Sequence, residues 1–240
     1  MPDRDGPRDE KGPGLGGPRF YGRRHGRPLR QAGRTLIDSL LPRIAIGRPD
    51  EGARIDPRAL FPRPVAAVWL EIGFGGGEHL AAQAAAHRDV GLIGCEVFVN
   101  GIAALLGHVS RESLDNVRVF PDDARLLFPA LPDACMGRVF VLFPDPWPKK
   151  RHVARRFIGP ENLPELARLL TDGGELRVAT DEPVYKEWAL EQMAASPDFA
   201  IATQDPAVRP ADWPETRYEA KALREGRAPI YVSYRRKSRG

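Results

Sequence analysis

A glycine-rich loop flanked by two carboxylates stands out in the segment EIGFGGGEHL, which begins at Glu71. Glycine has no Cβ, so Gly73 and Gly75 allow a tight turn and a close approach of the backbone to a ligand. Such loops bind ligands where a strand leads into a helix of a doubly wound sheet. Dinucleotide-binding loops carry glycine or alanine at the position that Glu78 occupies here. Carboxylates at Glu71 and Glu78 repel phosphate and therefore favour a cationic ligand.

Two further acidic residues follow the next two predicted strands. Glu96 ends the second strand, 19 residues after Gly77, where a carboxylate can accept hydrogen bonds from both hydroxyls of a ribose. Asp123 follows the third strand and can accept from an adenine amino group. S-adenosylmethionine has these groups, no phosphate, and an ammonium group that Glu71 can bind. The pattern predicts this cofactor, although the nucleotide end of NAD can use the same Glu96, and a nicotinamide-dependent oxidoreductase stays open.

The segment VFVLFPDPWPKKRHVARRF joins three prolines, an aspartate and a tryptophan to a run of basic residues. Each proline restricts its own backbone and that of the residue before it, so Asp145 and Trp147 are predicted on a stiff, extended strand exit. A charge run is usually a solvated face. This one follows a strand beside the predicted cofactor site, which favours an anionic polymer as partner. The basic residues are Lys149, Lys150, Arg151, His152, Arg155 and Arg156.

Strand-like and helix-like segments alternate from residue 65 onward. Such alternation forms right-handed crossovers around a sheet that is covered on both faces. We therefore predict an α/β fold with a doubly wound, mostly parallel, Rossmann-like sheet and an antiparallel edge strand. The predicted strands are 65–72, 91–95, 117–120, 138–143 and 175–180, with 199–203 and 230–234 as an antiparallel pair at the edge. The predicted helices are 78–87, 99–112, 162–170 and 183–195, and no further helix is obvious between the last two strands.

Composition excludes several classes of protein. The 240 residues are 42% hydrophobic and 28% charged, which is typical of a globular protein. The longest apolar run, 65–70, has six residues, whereas a membrane-spanning helix needs roughly 20. The charged first ten residues contain no apolar stretch for a secretion signal, so we expect a cytoplasmic protein without membrane association. Cys95 and Cys135 show no metal-ligand spacing, and no metal site is predicted.

Residues 1–34 carry the whole excess of positive charge. They contain nine lysines and arginines, four acidic residues, eight glycines and five prolines, with almost no apolar pattern. We predict that this segment is a disordered basic arm and that residues 35–240 form the folded domain. A basic arm is often only a solubilising extension, but beside a nucleic acid it adds salt-dependent affinity for phosphates. The basic C-terminus, 235–239, is either a second contact to RNA or, as we expect, a frayed end.

In order and spacing, several segments resemble the bacterial tRNA (guanine-N7-)-methyltransferases: EIGFGGGEHL, GCEVFVNG, FPDPWPKKRH, ATDEPVYKEW and PETRYEAKALREGRAPIYVSYRR. The resemblance spans about residues 65–235. It implies that 35–240 form a class I methyltransferase domain that uses S-adenosylmethionine. It also implies methylation of guanine N7 in the variable loop of tRNA, at position 46. The expected partner is tRNA. No obligatory protein partner is expected, and we expect a monomer or a weak homodimer.

The resemblance also implies roles for individual residues. Around the methyl donor it places Glu71, Glu96, Asp123 and Asp145, with Asp145 also the catalytic residue. Its acceptor-binding positions are Lys149, Asp181, Thr216, Arg217, Tyr218 and Glu219, and its RNA contacts are Arg151, His152, Arg155 and Arg156. Asp122 precedes Asp123, and which carboxylate meets the adenine stays open. Lys149 can donate to guanine O6 or to a phosphate.

Guanine N7 has an in-plane lone pair, so it can attack a methyl group without losing a proton and without a strong base. We expect Asp145 to orient the guanine and to stabilise the positive charge that develops on it. Structural roles stay open for other residues. Asp181 or Thr180 can cap a helix, and Thr216 and Glu219 have the spacing of a capping box. A non-catalytic RNA-binding module of the same fold is the third alternative.

Overall fold

A computed structural model describes residues 22–240, which form a seven-stranded sheet between two layers of helices. The strands are β1 (Ala67–Ile72), β2 (Val90–Cys95), β3 (Val117–Phe120), β4 (Met136–Leu142), β5 (Leu170–Thr180), β6 (Phe199–Ile201) and β7 (Ile230–Arg236). Their order in the sheet is β3-β2-β1-β4-β5-β7-β6. Neighbours among β1 to β5 pair in parallel, whereas β7 pairs antiparallel with both β5 and β6. The predicted doubly wound α/β fold with antiparallel pairing at one edge is confirmed.

Seven α-helices occur within residues 22–240. They are α1 (Gln31–Ser39), α2 (Leu41–Ile44), α3 (Glu78–Ala86), α4 (Val99–Glu112), α5 (Leu163–Leu169), α6 (Pro183–Ala195) and α7 (Arg217–Arg224). Each of these helices is too short or too polar to cross a membrane.

Two apolar cores fill the spaces between the sheet and the helices. On one face, Leu80 of α3 and Leu105 of α4 pack with Leu92 of β2. On the other face, Leu166 of α5 and Tyr185 of α6 belong to the second core. The central strands are buried on both faces, which explains why they read as continuous apolar runs in the sequence.

Helix α7 lies between β6 and β7, where the hydrophobic pattern predicts no helix. Only Glu219 and Ala222 of its eight residues are buried and four of the eight are charged, so few apolar residues mark the helix in the sequence. The capping-box spacing of Thr216 and Glu219 is the sequence signal that marks its start. The other predicted helices are present with ends within one residue, while β5 begins at Leu170, five residues before the predicted 175.

The described part of the predicted arm is attached to the folded domain. Residues 1–21 of that arm lie outside the described residues. Helix α1 begins at Gln31, before the predicted boundary at residue 34, because Leu36 and Ile37 pack against the core beside α4. The Asn100 side chain of α4 accepts from the Gly26 N–H at 2.9 Å and donates to the Arg27 carbonyl at 2.7 Å. These contacts hold the segment before α1 against the start of α4.

The C-terminal residues do not fray as the sequence predicts. They are fixed to the end of α5. The Arg239 guanidinium donates to the carbonyls of Ala167, Arg168 and Leu170 at 3.0, 2.8 and 2.7 Å. It also pairs with Asp172 at 2.6 Å. The last carbonyls of a helix have no partner within the helix, and Arg239 supplies one.

Candidate functional site

A cavity of about 450 Å³ opens at the carboxyl ends of the central parallel strands. The strand order reverses between β1 and β4, and a doubly wound sheet binds its ligand at such a switch point. Residues from the loops after β1, β2, β3 and β4 line the cavity, together with Gly22 and Arg23 and with one residue of α7. Among the residues singled out from the sequence, the cavity brings together Gly73, Gly75, Glu96, Asp122, Asp123, Asp145, Arg155 and Tyr218.

The glycine loop adopts a conformation that few other residues tolerate. Gly73 and Gly75 have φ angles of 71° and 56°, in the left-handed region. A Cβ on Gly75 would lie 2.7 Å from the ring of Tyr218, so glycine is needed there for space as well. The Gly75 N–H donates to the Glu96 carboxylate at 2.8 Å and so links the loop to the end of β2.

The Glu78 carboxylate lies at the N-terminal end of α3. Its oxygens are 2.5 and 2.7 Å from the position that a Cβ on Gly76 would take. The Arg217 guanidinium is 3.9 Å away. Dinucleotide-binding folds place the pyrophosphate at this end of the helix. A carboxylate in that place repels phosphate, so the site suits a ligand that carries none.

Glu96 is held at the end of β2 by backbone donors. One carboxylate oxygen accepts from the N–H groups of Val97 and Phe98 at 2.9 and 3.0 Å, and the other accepts from Gly75. Burial raises the pKa of this carboxyl above its usual range, while the three N–H groups act in the opposite direction. The side chain therefore faces the cavity in one fixed orientation, as an acceptor for a pair of ligand hydroxyls requires.

Glu71 does not line the cavity. Its side chain is 3% exposed, and its Oε2 lies 2.7 Å from Nδ1 of His79 in α3. Successive side chains of a strand point to opposite faces, and Glu71 points to the face that α3 covers. The structure pairs Glu71 with a buried histidine, and its contact with the cofactor's ammonium group, directly or through water, stays a prediction.

Asp122 and Asp123 both line the cavity, and each has an arginine partner. Asp123 accepts from the backbone N–H of Arg125 at 3.0 Å and from its guanidinium at 2.6 Å. Asp122 accepts from Arg24 at 2.9 Å, and its side chain is more exposed than that of Asp123, at 22% against 8%. Arg24 and Arg125 are site residues that sequence reasoning missed, because no motif distinguishes them from other surface arginines. The choice of carboxylate for adenine stays a prediction.

Asp145 lies at the mouth of the cavity, in the loop that follows β4. Its side chain is exposed, yet the surrounding protein limits its hydration and raises its pKa above the usual range. The loop is not the extended exit that its prolines predict. Phe143 and Trp147, which both precede a proline, have φ angles of 50° and 41°. Left-handed conformations are strained for such residues, so other contacts must hold the loop in this shape.

The basic run after this loop forms a 3₁₀ turn beside Trp147. The Arg155 guanidinium stacks over the Trp147 ring at 4.9 Å, and His152 packs edge-on against the same ring at 5.7 Å. Lys149 and Arg151 are exposed. The lysine and arginine side chains form a positively charged surface next to the cavity, as the sequence predicts. Partial desolvation and these positive charges lower the pKa of His152.

Arg156 differs from its neighbours in the basic run. It is only 7% exposed and lies over the ring of Trp188 in α6, 5.2 Å from the centroid. It donates to the carbonyls of Pro146 and Trp147, both at 3.2 Å. A guanidinium buried in this way does not reach RNA phosphates, so the predicted RNA contact at Arg156 is corrected.

The TRYE motif begins α7. The Thr216 hydroxyl accepts from the Glu219 N–H at 3.1 Å, and the Glu219 carboxylate accepts from the Thr216 N–H at 3.4 Å, which completes a capping box. Glu219 is buried, accepts from the Tyr231 hydroxyl and pairs with Arg209 at 3.2 Å. Within this motif Tyr218 lines the cavity. Thr216 and Glu219 thus position α7, whereas Tyr218 is available to a ligand.

Asp181 follows β5 and lies outside the cavity lining. Its carboxylate accepts from Arg227 at 2.6 Å and is 12% exposed. Thr180, rather than Asp181, bonds to the backbone before α6, since its hydroxyl accepts from the Glu182 N–H at 3.3 Å. The structure therefore pairs Asp181 with an arginine and does not use it as a helix cap.

Comparisons with known proteins point to one family. A family model described as "Putative methyltransferase" matches residues 65–232. The tRNA (guanine-N(7)-)-methyltransferase of Paramagnetospirillum magneticum is 59% identical over 225 residues, which covers 92% of this chain and 94% of the relative. The protein of the same name from Rhodospirillum rubrum is 56% identical over 226 residues, with 92% and 89% covered. Among solved structures, the 16S rRNA methyltransferase KamB is 16% identical with a TM-score of 0.55, over 81% of this chain and 99% of that one. That likeness shows a shared fold.

Proposed function

Because the chain belongs to the tRNA (guanine-N(7)-)-methyltransferase family, we propose that it methylates guanine N7 in tRNA, at position 46 of the variable loop. The methyl donor in this proposal is S-adenosylmethionine, and the reaction takes place in the cytoplasm. The observation that carries the proposal is the cavity at the switch point of the sheet, where the glycine loop, Glu96 and Asp145 face one space.

The residues of the cavity fit this donor, which supplies an electrophilic methyl group on a sulfonium. Glu96 presents a fixed carboxylate for the ribose hydroxyls. Asp123 or Asp122 presents one for the adenine amino group. Asp122 and Asp123 are paired with arginines, so the carboxylates of Glu96 and Asp145 are the ones proposed to attract the cationic sulfonium. The Glu78 carboxylate beside the loop disfavours a dinucleotide, and this supports the methyl donor over NAD.

Asp145 is the residue to which we assign the chemical step. Guanine N7 needs no base, so the protein has to align N7 with the methyl group and exclude water. Asp145 accepts from guanine N1–H or N2–H and thereby orients the ring. Transfer leaves a positive charge on the purine, and the ionised carboxylate stabilises that charge as it develops.

The exposed and half-exposed basic residues beside Trp147 are the proposed contacts to the RNA backbone. Lys149, Arg151, His152 and Arg155 lie on one 3₁₀ turn or directly before it, next to the mouth of the cavity. A guanine of the substrate has to enter this mouth, so phosphates near it come within reach of the turn.

Methyl transfer to an unmodified tRNA transcript tests the proposal. With labelled donor, we expect label in the tRNA and strand cleavage at guanine 46 after borohydride and aniline treatment, and none in a transcript that carries adenine at position 46. Asp145→Ala should lose turnover and keep its affinity for tRNA. A non-catalytic binding module would have no turnover to lose in the first place. Label at another base, or tight binding of NADH without binding of S-adenosylhomocysteine, would overturn the proposal.

A further inference from the structure

Arg156 belongs to the basic run in sequence but not to its exposed surface. We propose that Arg156 is a positioning residue, which holds the loop carrying Asp145 in its active shape through two main-chain carbonyls. The inference rests on the role proposed above for Asp145. It gives Arg156 a task in the reaction that does not involve contact with RNA.

The guanidinium of Arg156 binds the two residues that directly follow Asp145. Its Nε donates to the Pro146 carbonyl and its Nη2 to the Trp147 carbonyl, both at 3.2 Å. The planar fork of arginine can hold two adjacent acceptors in one orientation. Within residues 22–240 no carboxylate forms a salt bridge with Arg156. Burying a charged guanidinium without a carboxylate partner is unfavourable in free energy. The hydrogen bonds to these two carbonyls therefore stabilise the buried charge of Arg156.

The loop needs such a restraint because its backbone is strained on both sides of Asp145. Phe143 has a φ of 50° and Trp147 a φ of 41°, and each stands before a proline. Conformations of this kind persist where surrounding contacts determine them. One of the two Arg156 bonds falls on the carbonyl of Trp147, which is a strained residue itself. Without that bond, we expect Trp147 to relax and Asp145 to shift.

Helix α6 fixes the position of Arg156 and of the residues that follow it. The Trp188 ring lies under the Arg156 guanidinium, and its Nε1–H donates to the Ile158 carbonyl at 2.6 Å. The Tyr185 hydroxyl accepts from the Ile158 N–H at 3.1 Å. Both carbonyl and N–H of the residue two positions after Arg156 are therefore held by α6, which packs on the sheet. The guanidinium transmits this fixed position to the Asp145 loop.

Four variants separate positioning from RNA contact and from general stability. Arg156→Ala removes both bonds, and Arg156→Lys keeps the charge but not the planar fork. Arg168→Ala is the structural control, because Arg168 also donates to two main-chain carbonyls, of Leu131 and Phe128 at 2.9 Å, and lies outside the cavity lining. Unlike Arg156, it also pairs with two carboxylates, Asp133 and Glu165. Asp145→Ala tests the premise in the same assay. Steady-state methyl transfer, melting temperature and affinity for S-adenosylhomocysteine are measured for each.

We expect Arg156→Ala to lower kcat about tenfold or more at saturating tRNA, since a small displacement of a positioned group has effects of this size. KM for tRNA, its salt dependence and the affinity for S-adenosylhomocysteine should change less than about twofold. Arg156→Lys should recover part of kcat. Arg168→Ala should lower the melting temperature but leave kcat unchanged when kcat is measured well below that temperature.

Three results would overturn the inference. A raised KM for tRNA with unchanged kcat would make Arg156 an RNA contact. A lowered melting temperature with unchanged kcat would make it a purely structural residue. If Arg156→Ala does not fold, the lysine variant decides, and full kcat in that variant counts against positioning. Full turnover in Asp145→Ala would instead refute the proposed role of Asp145, and so the two failures are distinguishable.

Discussion

The carboxylates of the cavity differ in how firmly they are held. Glu96 accepts three backbone hydrogen bonds and cannot turn without breaking them. Asp145 is exposed on one side, and partial desolvation by the surrounding protein raises its pKa. Its charge in turn raises the pKa of Glu96, in addition to the larger effect of burial. A fixed acceptor suits the recognition of a ribose diol, and the exposed Asp145 carboxylate is the one that we propose for the guanine.

The raised pKa values of Asp145 and Glu96 predict a pH dependence. In the proposed reaction both carboxylates act in the ionised form, and each keeps its proton to a higher pH than an ordinary carboxyl. The value of kcat/KM for the methyl donor should therefore fall as the pH drops, with a midpoint above the usual carboxyl range of about 4. Asp145→Asn should leave a shallower decline, because one group then titrates instead of two. An unchanged steepness in this variant would contradict the assignment.

The glycine loop offers a second test at single-residue scale. Gly75→Ala introduces a Cβ at a φ of 56° and 2.7 Å from the Tyr218 ring. Gly173→Ala is the control, since Gly173 has a φ of 74° with open space around it and lies outside the cavity lining. Each should lower the free energy of unfolding by about 1–2 kcal/mol through backbone strain. Only Gly75→Ala should weaken S-adenosylhomocysteine binding in titration calorimetry, and equal affinities would show that the loop does not meet the donor.

Helix α7 shows how an element can bring a single side chain to a site. The capping box fixes its first turn, and buried Glu219 ties that turn to Tyr231 of β7. The helix starts where the preceding long loop ends, so the position of Tyr218 at the cavity depends on these two restraints. Resemblance implies acceptor binding by Thr216 and Glu219, and the capping contacts that position Tyr218 offer an indirect route to that predicted role.

Removing the cap of α7 should affect stability and activity together. Thr216→Ala leaves the Glu219 N–H without its partner and should cost about 1 kcal/mol in unfolding free energy. It should also lower kcat, whereas Thr216→Ser, which keeps the hydroxyl, should retain both. Asp56→Ala removes a comparable cap on the Arg58 N–H, away from the cavity, and should lower stability alone. If Thr216→Ser is as inactive as Thr216→Ala, the threonine methyl group contacts the substrate and the capping account is insufficient.

At the scale of the whole molecule, the excess of positive charge lies closer to the site than the sequence suggests. Residues 1–21 contain four basic and four acidic residues and are balanced. Residues 22–34 contain five arginines and no acidic residue. That second segment is the one held against α4, and Arg23 within it lines the cavity. The charged segment and the basic turn beside Trp147 therefore border the same opening.

The salt dependence of tRNA binding should show which part of the N-terminal segment contacts the phosphates. A protein lacking residues 1–21 should bind tRNA with the same dependence on salt as the full chain. Replacing the exposed Arg27, Arg30 and Arg34 by glutamine should reduce the slope of log K against log salt, by up to about 0.9 per lost phosphate contact. Filter binding over a range of salt concentrations measures both. A loss confined to the truncated protein would place the RNA contact in the first 21 residues instead.

The sequence by itself determined the sheet and the residues that gather at the carboxyl ends of its parallel strands. Glu96, Asp123 and Asp145 follow successive strands, and parallel strands bring their carboxyl ends to one edge of the sheet. Local chain order therefore suffices to gather these residues. The same holds for the glycine loop, whose conformation depends on the residues within it.

Only the tertiary structure decided which charged side chains face the cavity. Glu71 and Arg156 lie within the most informative motifs, yet both are buried, because His79 of α3 and Trp188 of α6 receive them. Tyr218 enters the cavity from α7, far along the chain. Motif spacing cannot predict such contacts, since the direction of a side chain depends on the distant segment that packs against it.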